Sequence, residues 1–92
     1  MTRTMIVTAA ALALLPATAW ADAAAGNACA GKLTPDGKQI YAASMAARPT
    51  TDTVKDVIEK ETRSLAMGGK IARGQARDNA VAAMECVRAA LQ

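Results

Sequence analysis

Between residues 33 and 92, apolar side chains recur three and four positions apart in three runs, each bounded by turn-forming residues. That spacing gathers them on one side of an α-helix. The first run opens at "LTPDG". Thr34 suits an N-cap and Pro35 the first helical position, and the same residues fit a type I turn, which resembles a first helical turn. Ile40, Tyr41, Ser44 and Met45 then keep helical spacing. Arg48 stands before Pro49, which disfavours helix at Arg48 and ends the element.

The second run starts near "TTDT", with Thr51 or Asp52 as the cap, and stripes Val54, Val57, Ile58 and Leu65 along one face. Its other face carries Lys55–Glu59, Asp56–Lys60 and Glu59–Arg63, pairs four apart that each add about 0.2–0.5 kcal/mol to a helix. Gly68 is its C-terminal stop. The third run extends from about Arg73 to Leu91, with Ala76, Ala80, Met84, Val87 and Leu91 on the stripe and Cys86 beside it. No segment alternates with period two over a useful length. The pattern predicts an all-α fold, a small three-helix bundle over residues 33–92.

The first twenty-one residues have a different character. Arg3 gives a basic start, Met5 to Leu15 an apolar core of about eleven residues, Pro16 a break, and Ala19-Trp20-Ala21 the small residues of a cleavage site. As a helix the core covers about 17 Å, short of the roughly 30 Å bilayer interior. Residues 1–21 therefore read as a signal peptide cleaved after Ala21, which implies a periplasmic or secreted protein. A lipid anchor at Cys29 is disfavoured, since Gly26 occupies the position where a lipoprotein signal has leucine. No second apolar segment follows, so no stable membrane anchor is expected after cleavage. Residues 22–32 read as a flexible N-terminal segment carrying Cys29.

Composition makes the expected domain thin. The chain has no Phe, its single Trp lies in the signal, and alanine supplies much of its 52% hydrophobic content. Its larger apolar side chains include Ile40, Val54, Ile58, Leu65, Ile71 and Val87, with Met45, Met67 and Met84 as fillers. A chain of about 71 residues with such a core is marginal without a staple. Cys29 and Cys86 supply one, because two cysteines in an exported chain allow a single intramolecular pairing. Closing a loop of about 58 residues removes roughly 4 kcal/mol of unfolded-state entropy.

Candidate chemistry is sparse. The chain has no histidine, so the usual general base near neutral pH is missing. Ser44 and Ser64 begin no S-x-x-K motif. Asp36, Glu59, Glu61 and Glu85 are scattered, with no calcium loop. Two distant cysteines without histidine make a poor zinc or copper site. Catalysis, cofactors and metals are therefore not expected. Once Arg3 leaves, ten basic and eight acidic residues remain, about +2. Tyr41 alone could stack on a base, so nucleic-acid binding is not expected either.

One stretch stands apart. "GGKIARGQAR", residues 68–77, holds three glycines and three cations with no acid. Ala72 falls where a capping side chain would help, and Gln75 completes only half a capping box. Lys70, Arg73 and Arg77 surround the start of the third helix, where cations are unfavourable by about 0.3–1 kcal/mol each. Poorly capped amides among three cations outline an anion site. Water and the nearby Asp78 or Glu61 can equally satisfy them, leaving a solvated connection. A P-loop fails, because Ser64 replaces its first glycine and Ile71 follows the lysine. Two functions follow. One is a non-enzymatic binding module whose 68–77 surface contacts an anionic ligand or acidic protein surface. The other is an envelope accessory or stress-response protein acting through exposed apolar helical surface or self-association.

Overall fold

A computed structural model describes residues 17–92. Met5–Leu15, the expected apolar core of the signal, lies outside the described residues. The described chain forms four α-helices and one short 3-10 turn, and no strand. Helix α1 spans Ala17–Ala30, α2 Pro35–Ala46, α3 Val54–Met67 and α4 Ala76–Leu91, with the 3-10 turn at Arg73–Gln75. The fold is an all-α bundle stapled by one disulfide, Cys29–Cys86, whose Cα atoms are 5.2 Å apart.

Helix α1 is the main difference from the sequence reading, which made residues 22–32 a flexible segment and so counted three helices. Its alanines favour helix strongly but form no amphipathic stripe. The helix is held instead by close approach to α4, by a buried Gly26 and by the disulfide. A Cβ at Gly26 would clash with the Ala90 methyl and lie 2.7 Å from the Tyr41 hydroxyl and 3.0 Å from Ala90 Cα. Only glycine lets these helices come this near.

Thr34 begins α2 as the sequence predicts. Its hydroxyl accepts the Gly37 N–H at 3.0 Å and donates to Asn79 Oδ1 at 2.7 Å, so one side chain caps α2 and ties it to α4. The helix ends at Ala46, and Arg48 takes a left-handed φ of 54°. Arg48 N–H reaches Met45 O at 3.0 Å, while Pro49 has no N–H to extend the closure.

Helix α3 is capped differently from expectation. Neither Thr51 nor Asp52 does it. Thr50 Oγ1 accepts the Thr53 N–H at 3.2 Å and Thr53 Oγ1 accepts the Thr50 N–H at 2.8 Å. These bonds close the turn that precedes α3, whose N-cap, Thr53, makes no side-chain capping bond to the helix. At the other end Gly68 is the C-cap and Gly69 takes the left-handed φ of 74°. Gly69 N–H bonds Ala66 O and Lys70 N–H bonds Leu65 O, at 3.2 and 2.9 Å, a Schellman closure.

Helix α4 lies at the centre and packs on all three others. Its buried positions are Asn79, Ala83, Cys86 and Val87. The predicted stripe of Ala76, Ala80, Met84 and Leu91 is partly buried beside them, because a central helix buries more than one face. Ile40, Val54, Ile58, Ile71, Ala83 and Val87 form the core. Met45 and Met84 pack against it, but Met67 is 71% exposed and fills nothing. It is the last residue of α3.

Candidate functional site

The 68–77 stretch is not an open cradle. Ile71 is buried in the core and anchors it. On either side, Gln39 Nε2 donates to Lys70 O at 3.1 Å and Ala72 N–H donates to Asp36 Oδ2 at 3.0 Å. The Ala72 amide thus already holds an anion, the chain's own Asp36 carboxylate. The predicted third helix from Arg73 divides into a 3-10 turn and α4 proper. Gln75 is the N-cap of α4 and makes no side-chain capping bond, so the half capping box does not form. Asp78 lies in the first turn of α4, where a carboxylate opposes the dipole's positive end.

The three predicted cations are all exposed, and of them only Arg77 borders the α3–α4 groove. Lys70 follows the Schellman turn and Arg73 sits in the 3-10 turn. Arg77, in the first turn of α4, joins a different feature: a groove of about 380 Å³ between α3 and α4.

Ile58, Thr62, Ala66, Ala76, Ala80, Val81 and Met84 line that groove, and Lys55, Glu59, Arg63 and Arg77 edge it. Helical register explains the arrangement. Ile58, Thr62 and Ala66 follow at intervals of four on α3, as do Ala76, Ala80 and Met84 on α4. Alanines on both walls keep the trough open where larger side chains would fill it. Val81 is 50% exposed here, large for a valine in so small a protein. The rim carries three cations and one carboxylate, all exposed.

Thr62 is the one polar side chain on the floor. It is 9% exposed and its hydroxyl has no hydrogen-bond partner. The sequence reading missed the groove because its walls are apart in sequence. Val81, an apolar residue off the α4 stripe, was the available signal. Among the described residues no group of three or more metal-ligating side chains assembles, and no helix is long and apolar enough to cross a membrane. Compared with protein-family models, curated proteins and solved structures, the chain finds no match.

Proposed function

We propose that the chain is a small exported, non-enzymatic binding module, periplasmic or secreted, that holds an anionic partner at the α3–α4 groove. One observation carries this reading: an apolar trough edged by Lys55, Arg63 and Arg77 against a single acid, Glu59. Apolar lining supplies affinity, and the excess of positive charge on the rim selects the sign of the partner. Of the basic stretch, Arg77 takes part, while Lys70 and Arg73 lie outside the groove. Export is supported by the residue pattern of positions 1–21 and by the disulfide, which persists in oxidising compartments. The lack of any histidine argues against acid–base catalysis.

The second reading, an envelope accessory or stress-response protein engaging others through apolar surface, draws on exposed Val81 and Met67. Fluorescence titration with anilinonaphthalene sulfonate separates the two. Binding through the groove rim weakens as salt rises and weakens in Arg63→Gln/Arg77→Gln but not in Lys70→Gln/Arg73→Gln. Binding indifferent to salt and to both pairs favours the second reading, and loss in the Lys70/Arg73 pair alone returns the site to the 68–73 loop.

A further inference from the structure

Resting on that reading of the groove, the geometry points to one ligand class: a single-chain anionic amphiphile, a fatty-acid-like molecule with one carboxylate or similar headgroup. Charge and apolar surface are distributed unevenly along the trough. Arg63 lies in the last two turns of α3 and Arg77 in the first turn of α4, the helix ends nearest the connecting loop. A headgroup there meets two guanidiniums, which pair with carboxylate or phosphate through paired N–H donors. Beyond them Ile58, Ala80, Val81 and Met84 offer aliphatic surface and a thioether, and the rim there carries one opposite pair, Lys55 and Glu59, in place of two cations.

Size favours a slender ligand. The volume of about 380 Å³ falls at the low end for ligand sites. The α3 wall, Lys55 to Ala66, extends about 17 Å at 1.5 Å per residue, a length suited to an extended chain. A docked helix, roughly 10–12 Å across with its side chains, would insert only side chains into so small a trough. No aromatic residue lines it, so nothing there favours a flat ring over a flexible chain.

Thr62 Oγ1, like Ser44 Oγ and Asn79 Nδ2, is buried without a partner, and of the three residues only Thr62 borders the groove. Its hydroxyl is buried on the floor without a partner, between the Ile58 and Ala66 turns and beside Arg63. A buried polar group left unpaired is costly. A helical threonine has two accessible χ1 rotamers, and turning between them would offer the O–H to a headgroup held by the arginines.

Calorimetric titration of the oxidised full chain with dodecanoate, below its micelle concentration, tests this. Dodecyl maltoside, sulfate, phosphatidylglycerol vesicles and an acidic amphipathic peptide serve as the other arms. Dodecanoate is expected to bind at one molecule per chain. Arg63→Gln/Arg77→Gln should weaken it about tenfold, and Val81→Asp, at an exposed position, should abolish it with helicity intact. Thr62→Val should weaken it several-fold while leaving thermal stability equal or higher, since it removes an unpaired hydroxyl. Equal binding of dodecyl maltoside or of sulfate alone overturns the proposal, as does binding of vesicles or peptide without dodecanoate. If dodecanoate fails while anilinonaphthalene sulfonate still depends on Arg77, the ligand class is wrong and the groove stands. If both fail, both readings fall.

Discussion

Gly26 of α1 and Ala90 of α4 approach so closely that a methyl group on Gly26 would overlap the Ala90 methyl. This contact, with the Cys29–Cys86 link three residues further along α1, commits one side of α4 to α1. The α3-facing side remains, and the groove lies there.

Gly26→Ala should therefore destabilise. Alanine gains about 1 kcal/mol of helix propensity over glycine, but overpacking costs about 1–3 kcal/mol, and Ala90 backbone as well as side chain is in the way. A net loss of up to about 2 kcal/mol is expected by urea denaturation. Adding Ala90→Gly should recover part of it, giving a non-additive double-mutant cycle. Additive effects would mean the helices do not touch there.

Removing the disulfide tests whether packing alone holds α1. Cys29→Ser/Cys86→Ser should cost about 2–4 kcal/mol. Hydrogen exchange should show protection lost first in residues 23–30, because Gly26 alone is buried among them. Unchanged protection in α1 would contradict the staple.

Thr50→Ala removes side-chain bonds that close the turn before α3 and should cost about 1 kcal/mol. Thr51→Ala and Asp52→Ala make no such bond and should stay within about 0.5 kcal/mol of the parent chain. Thermal unfolding of the three variants under one condition ranks them.

These predictions fall partly where sequence reasoning worked and partly where it did not. Thr34-Pro35, the Arg48-Pro49 stop and Gly68 were legible because caps and breakers act locally, on the residues beside them. The Thr50–Thr53 turn before α3 was missed because paired threonines carry none of the residues that mark a helix start. Helix α1 was missed because it is held by the absence of a side chain at Gly26 and by alanine-to-alanine approach, neither of which produces a hydrophobic stripe. The basic stretch was visible as charge. That Asp36, far away in sequence, already satisfies Ala72 was not. The groove needed the α3–α4 register, which no local pattern contains.

Tyr41 gives the fold a dependence on alkaline pH. Burial raises its phenol above the ordinary value of 10.0. The folded chain therefore keeps the proton to higher pH than the unfolded chain does. Its contribution is fully present below about pH 10 and is lost as pH rises from there through the folded value. Ultraviolet titration of this single tyrosine should show late ionisation. Tyr41→Phe should lessen the fall in stability above pH 10, and an equal fall in both proteins would remove Tyr41 as its cause.

The central claim is that α3 and α4, and not the basic loop between them, form the binding surface. Amide chemical-shift mapping of the labelled, oxidised protein with anilinonaphthalene sulfonate tests it most directly. The account predicts shifts confined to Ile58–Ala66 and Ala76–Met84, with Gly68–Arg73 and α1 unmoved. Shifts concentrated on Lys70 to Arg73, or spread evenly over all four helices, would contradict it.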